Sequence, residues 1–518
     1  MSTNLMLRLW LAFAKGTGMA LTKLGNTSLS VHIIPYRNQK LYFLILIFHT
    51  NRRFSMQQNY LLSSALAERL YYEFARPLPL IDYHNHLPVQ ELAGDKSYGN
   101  IAELWLLSDP YKHRAMRICG VPEHYITGQA SAKEKFFAWC RIFPQLPGNP
   151  LFDWSRMELE WIFQVTIPIC EENAERIWQA ANEKLCLPSF SAQGLLKQFR
   201  VEYAAPCTAA CDDLSPYANL PGAAPSLRGD DLAAPTLPLI QKLEMLTGQS
   251  VRSFDGYILA IRKRLSVFHG MRCRFSDHAL DNGFTYQPED GRQDGYFSRI
   301  LSGGSLDQAG QSALRSAILR AVAKEYARLG WTMQLHIGAE RHTSTRLRNL
   351  AGAAGGYAAI GHPADIGAVV RMLDDMEQSG GLPRTLLFTL NPADHEAMAA
   401  LSGSYSEDGV PAKVSLGSAW WWCDHQQGMR EVFQALANYS VLSTFTGMAT
   451  DSRNILSMLR HDYYRRVLCS WLGEKVSSGE FPDDYRLLGS IVRKLSYENI
   501  ANILKGGSSW ATNHSKGR

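Results

Sequence analysis

Two histidines stand two residues apart in the stretch LPLIDYHNHLP, residues 78–88: His84 and His86. In an extended chain residues i and i+2 face the same way, so both imidazoles aim at one point. Histidine is the commonest metal ligand, and such convergence is what a single divalent ion requires. Two histidines so spaced also arise as ordinary surface polarity, so the pair gains weight only from the rest of the chain. Far downstream, GMATDSR places Asp451 and Arg453 at the same two-residue spacing. A carboxylate can complete a ligand set or move a proton, and a guanidinium offers a planar fork to an anion.

Something must bring these distant residues together. Short apolar runs ending in polar residues recur down the chain: 78–84, 199–207, 224–229, 271–278, 332–338, 384–391, 413–418 and 445–453. Helix-like stretches separate them, and strands alternating with helices imply a parallel sheet. Eight such strands predict a (β/α)8 TIM-like barrel. In a barrel the strand ends meet at one mouth, where catalytic groups are found. The polar ends are His84 and His86, Arg228, Asp277 and His278, His336, Asn391, Trp420, and Asp451 with Arg453. Residues 56–89 read as an N-terminal helix and the first strand, and 199–518 as the remainder of the barrel. The long interval 90–198 reads as an inserted helical accessory domain, with tryptophan-bearing segments such as AERIWQAANEKL. The glycine-rich GAAGGY, 352–357, follows no convincing strand and reads as a loop rather than a phosphate cradle.

Composition narrows the class. A chain of 518 residues with 46% hydrophobic content can bury a barrel-sized core. Nine cysteines without a CxxC pair indicate neither a disulfide framework nor a zinc ribbon, and suit a reducing cytoplasm. The net charge of +5 is misleading, because residues 1–55 carry seven Lys or Arg and no acid. The remainder is slightly acidic and has no electrostatic footprint for nucleic acid. The apolar run LYFLILIF, 41–48, is too short to span a bilayer, so no membrane partner is expected. The basic extension 1–55 reads as a translated upstream stretch outside the fold, with orderly helical spacing beginning at Met56.

The motifs DYHNHLP, YKHRAMR (111–117), SDHALD (276–281), QLHIGA (334–339), LNPADHE (390–396), GSAWWW (417–422) and TDSR followed by RHDYYRR together resemble the uronate (glucuronate) isomerase family of the amidohydrolase superfamily. The resemblance runs from about Met56 to Leu504. It implies an aldose–ketose isomerase interconverting D-glucuronate with D-fructuronate and D-galacturonate with D-tagaturonate. It also implies a proton moved between C2 and C1 through an enediolate.

That chemistry needs a base, a stabiliser for the oxyanion and a clamp for the distant carboxylate. His84, His86 and Asp451 would hold one divalent metal, zinc being the expected ion, although two histidines and a carboxylate also accept manganese or iron. Asp451 could equally be the base, Tyr111 the proton shuttle, and Arg453 and Arg228 the clamp. His336, Trp420 and His278 would touch substrate. Each has a plainer alternative. Arg453 could neutralise Asp451, Arg228 could pair with Asp230 or Asp231, and Tyr111 could pack within the insert. Trp420 could belong to the core, His336 could pack, and His278 could cap the barrel.

Three departures stand out. Pro110 occupies a position where the family often has histidine, PSLR replaces PSWR at Leu227, and AACDDL at 209–214 replaces TTDDP. They put substrate preference and rate in doubt, not the reaction class. The rival reading is a mononuclear metal-dependent hydrolase or deaminase of the same superfamily. Asn391 stands where hydrolytic relatives have a third histidine, and no lysine ends strand four, so a binuclear water-activating centre is incomplete. A sensor that binds an acidic sugar would have little use for Asp451. The expected partner is a small uronate sugar, and metabolic barrels of this kind commonly form homo-oligomers.

Overall fold

In the computed structural model, which describes residues 28–35, 42–49, 56 and 58–506, the run that ends in the histidine pair is a strand, β1 (Leu80–Asn85). It is buried at every position. A strand buried on both faces belongs in a parallel sheet covered by helices. Six more strands complete that sheet: β2 (Val201–Ala209), β3 (Ser226–Arg228), β4 (Phe275–Leu280), β5 (Thr332–Ile337), β6 (Arg384–Thr389) and β7 (Val414–Leu416). They lie side by side in sequence order, every neighbouring pair parallel.

The sheet is strongly curled. Five inter-strand steps of about 4.8 Å would hold β1 and β6 about 24 Å apart in a flat sheet. Instead the Tyr83 ring of β1 meets Phe388 of β6 at 6.5 Å and Phe275 of β4 at 5.8 Å. These rings and Ile81, Ala205, Leu386 and Ala449 form one apolar cluster, to which the C-terminal helix adds Ile500 and Ala501.

The eighth run differs from expectation. Residues 445–453 form no strand, although Asp451 N donates to His84 O (3.0 Å) and His86 N donates to Ser452 O (2.7 Å). The reason is local. Asp451 has φ +49°, a left-handed conformation that breaks an extended run. What ties this segment to β1 is a buried side chain. Asp82 accepts from Thr450 N (2.8 Å), Thr450 Oγ1 (2.8 Å) and Asn85 Nδ2 (3.0 Å), and His461 Nε2 lies 3.2 Å away.

Between β1 and β2 the chain is helices and turns. The helix that matters for the site is α1 (Pro110–Ile118). Asp109 caps it by accepting from Tyr111 N (2.9 Å) and Lys112 N (3.2 Å), and Pro110 takes the first helical position, where no amide hydrogen is needed. Further along come α2 (Gln308–Leu329), α3 (Gln426–Tyr439) and α4 (Arg460–Ser477). No helix among the described residues is long and apolar enough to cross a membrane.

The chain divides into two compact units, Met1–Gln57 with Thr166–Pro168, and Gln58–Val165 with Ile169–Arg518. In the first, Ser28–Pro35 and Tyr42–His49 pair antiparallel. The other residues of the basic extension 1–55 lie outside the described residues.

Each buried donor left without a partner costs about 1–3 kcal/mol. Asp82→Ala orphans the Thr450 amide and hydroxyl together, so a loss of about 3 kcal/mol or more is expected in urea denaturation. A variant within about 1 kcal/mol of the parent would show that the carboxylate does not hold this seam.

Candidate active site

At the ends of the strands the convergence is physical. His84 Nε2 lies 3.2 Å and His86 Nε2 3.0 Å from one oxygen, Asp451 Oδ1. The other carboxylate oxygen, Oδ2, accepts from Trp420 Nε1 at 2.7 Å. Beneath them the Cys207 thiol donates to Asp277 Oδ1 at 3.4 Å, with His84 Nδ1 3.6 Å from its sulfur. Donor atoms of His84, His86 and Cys207 all fall within 4.8 Å of one another. His336 completes the ring of imidazoles, its centroid 4.4 Å from that of His84. Its Nε2 is buried without a hydrogen-bond partner among the described residues.

Electrostatics follow from this crowding. Burial opposes charge on Asp451, yet hydrogen bonds from His84 and His86 hold its carboxyl well below the ordinary range. Burial also opposes charge on His84, but the Asp451 carboxylate outweighs it and the pKa rises. On His86 burial wins and the pKa falls. Burial, with His84 adding to it, pushes His336 well down, so it is a neutral imidazole with a free lone pair. Burial raises Asp277 to about 6, with His84 opposing. Imidazole nitrogens around an ionised carboxylate, once they give up their protons, are the donor set that a divalent cation takes.

The cluster floors a cavity of about 390 Å³, within the range of small-molecule sites. Arg228, Arg453, Tyr111, Trp420 and Asp277 also line it. Arg228 Nε donates to Asp230 Oδ2 at 3.0 Å, and Asp230 Oδ1 in turn accepts from Ala279 N at 2.7 Å. The pairing with Asp230 therefore fixes Arg228 at the cavity wall. Arg453 is different. It is half-buried, and it makes no hydrogen bond or ion pair to any described residue, Asp451 included. Burial lowers its pKa, against the attraction of Asp451.

A family model described as glucuronate isomerase matches residues 53–504. The chain is 36% identical over 469 residues to a uronate isomerase of Oceanobacillus iheyensis, covering 87% of this chain and 98% of that protein. It is 36% identical over 464 residues to a uronate isomerase of Caldanaerobacter subterraneus subsp. tengcongensis, covering 87% and 99%. The chain belongs to the glucuronate isomerase family. Among solved structures, the uronate isomerase of Thermotoga maritima superposes with a TM-score of 0.80 at 28% identity, covering 86% of this chain and 98% of that one.

Within this family member, His278 is not at the cavity. Neighbouring residues of a strand face opposite ways, so Asp277 faces the cavity while His278 packs away from it, its Nε2 3.0 Å from Tyr326 Oη on α2. Its ring fills the space beside Gly229, where a Cβ would lie 2.2 Å from it. The Tyr111 hydroxyl donates to Asp424 Oδ2 at 2.8 Å. Asn391 turns aside, Nδ2 donating to Gly361 O at 3.0 Å.

The sequence reading missed Cys207, which lies against His84, and Asp424, which holds the Tyr111 hydroxyl; it also missed the segment after β5, whose Arg341, His342 and Arg348 line the cavity. GAAGGY belongs to that segment, and Ala353, Ala354, Gly356 and Tyr357 face the cavity. Arg114 of α1 donates to Ala358 O at 3.2 Å, and Arg117 donates to Gly355 O. Gly356 has φ +78°, and a Cβ there would lie 2.2 Å from Pro110 O. Only a glycine lets loop and helix approach so closely. Gly356→Ala should lift the loop from α1, with faster tryptic cleavage at Arg341 and Arg348 and a raised KM. Unaltered cleavage would show that the docking does not depend on this glycine.

Proposed function

We propose that this chain interconverts D-glucuronate with D-fructuronate and D-galacturonate with D-tagaturonate. The observation that carries the reading is Arg453, a half-buried guanidinium with no partner, facing the same cavity as the histidine–carboxylate cluster. A guanidinium that spends none of its donors on the protein is free to take a substrate carboxylate in a bidentate, charge-assisted pair. Arg228, held by Asp230, supplies the second donor group, so the uronate C6 end binds at the arginines and C1–C2 lies over the imidazoles.

His84, His86 and Asp451 would hold one divalent ion, with Cys207 adjacent, and zinc suits this mixture of donors. When bound, such an ion polarises O1 and O2 as a Lewis acid. Asp451 Oδ1 is committed to the histidine pair, so Oδ2, oriented by Trp420, is the oxygen left to carry the proton from C2 to C1. A carboxylate held so far down is a weak base. The site must therefore acidify C2 by stabilising the enediolate rather than by base strength. His336 and Trp420 form the wall against the sugar, and Tyr111 moves the hydroxyl proton between O2 and O1.

The fold supports a barrel in which residues 445–453 take the eighth strand's place, joined to β1 by two backbone bonds. The hydrolytic alternative needs a third imidazole ligand at the end of β6. Asn391 does not line the cavity.

The test uses the chain expressed from Met56, incubated with each uronate in D2O and followed by proton NMR. A ketouronate bearing deuterium at C1 is expected; no new ketose and no exchange from folded, metal-loaded protein would sink the reading. Arg453→Met should raise KM by about 10- to 100-fold, the worth of one lost charge-assisted hydrogen bond or more. An unchanged KM would remove Arg453 from the clamp. Elemental analysis should find a divalent ion in the parent and little in His84→Ala or His86→Ala, and equal content in all three would place the ion elsewhere.

A further inference from the structure

Resting on the isomerase reading, we propose that Asp424 is the positioning residue behind Tyr111, binding the phenol's hydrogen so that its oxygen turns only lone pairs toward the sugar. The Tyr111 hydroxyl donates to Asp424 Oδ2 at 2.8 Å, and Arg460 Nη1 donates to the same oxygen at 3.2 Å. The Arg460 guanidinium also lies over the Tyr111 ring at 4.7 Å and the Trp154 ring at 4.0 Å. An ionised carboxylate can only accept, so the phenolic hydrogen is committed to it. Toward the cavity, Tyr111 therefore presents an acceptor.

Two further observations set this group apart from an ordinary structural pair. Asp424 Oδ1 and Arg460 Nε are both buried without a hydrogen-bond partner among the described residues. Interior polar groups are nearly always satisfied, and exceptions call for a functional account. In addition, Asp424 and Tyr111 both line a second cavity of about 680 Å³, on the far side of Tyr111 and Trp422 from the histidines. Tyr111 is thus the partition between two spaces, with Asp424 behind it.

The proton traffic balances. As the sugar's O2–H bond breaks, its proton joins the phenol oxygen while the phenol's own proton passes to Asp424 Oδ2. The reverse pair of transfers delivers a proton to O1, and both side chains end as they began. Burial, opposed by the charge of Arg460, raises the Asp424 carboxyl above its ordinary range. Burial and the Asp424 charge also raise the Tyr111 phenol well above its ordinary range, so the phenol releases its hydrogen only as it gains the sugar's.

Asp424→Asn keeps the shape and one acceptor but cannot take a proton. We expect kcat to fall about 100-fold or more with KM within about threefold, the scale of a lost acid–base contribution. Asp424→Ala opens a gap onto the second cavity, so formate or acetate should restore turnover, acetate more per bound anion because it is the stronger base. The same anions should do nothing for Tyr111→Phe. The proposal is overturned if Asp424→Asn keeps its kcat, or if Asp424→Ala loses activity that no carboxylate restores while its melting temperature drops, the mark of packing support alone. The parent is run alongside: an inactive parent overturns the isomerase reading, whereas an active parent with unaffected variants overturns only the role of Asp424.

Discussion

The site depends on one buried carboxylate. Asp82 lies at the heart of β1, two residues before His84, and reaches across to Thr450, one residue before Asp451. Because side chains along β1 alternate, fixing Asp82 against Thr450 fixes the phase of the whole strand. His84 and His86 then have one height relative to Asp451. No continuous strand ladder does this work, since residues 445–453 are not a strand. The side-chain bonds of Asp82 replace the missing ladder, and two backbone bonds reinforce them. A left-handed residue is normally a poor choice beside a sheet. Here it swings the Asp451 carboxylate onto the imidazoles, and the surrounding bonds hold it there.

With that seam fixed, the chemistry of the floor follows from burial. Three imidazoles, a thiol and two carboxylates share a space from which water is largely excluded. Each charge is therefore set by its neighbours rather than by solvent. Asp451 stays ionised because two imidazoles and an indole face it, and His336 stays neutral because no acid pairs with it. The result is a cluster of imidazole, thiol and carboxylate groups that a cation can take by displacing their protons, under a cavity whose upper wall is cationic. Floor and wall thus select different ends of the same molecule.

Much of this was legible because it is local. The HxH spacing needs only the two-residue period of a strand, and GMATDSR repeats that period, so both motifs declare their geometry without tertiary knowledge. The seven strands of the sheet were likewise visible as buried apolar runs. What failed did so where a single register decides the outcome. Asp277 and His278 are adjacent, and nothing in their types says which one faces inward. The register settles it: Asp277 and Ala279 line the cavity, while His278 lies against Tyr326. The eighth run read as a strand because its composition is strand-like, while the conformation of Asp451 that interrupts it is imposed by contacts hundreds of residues away. Cys207 belongs to no motif in the sequence, and its neighbour in space, His84, is 123 residues away. Asp424 follows the three tryptophans, and nothing in its own type or spacing ties it to Tyr111, 313 residues away.

The cavity's charge balance explains why an acidic sugar suits it better than a neutral one. Arg228 is already held by Asp230, and Asp451 by its histidines and Trp420, so their charges are compensated before substrate arrives. Arg453 is not compensated. An aldose without a carboxylate would fill the volume but leave this guanidinium largely out of water and unpaired, so its binding would retain a penalty that a uronate relieves. Discrimination built this way is strong, because a site that leaves its own buried polar group unsatisfied rejects an analogue far more sharply than one that merely loses a contact. The same guanidinium follows Asp451 by two residues, so the segment held by Asp82 positions both the carboxylate that moves the proton and the cation that recognises the substrate. Selection and catalysis are therefore coupled through one short stretch of chain, and a displacement of that stretch would degrade both together.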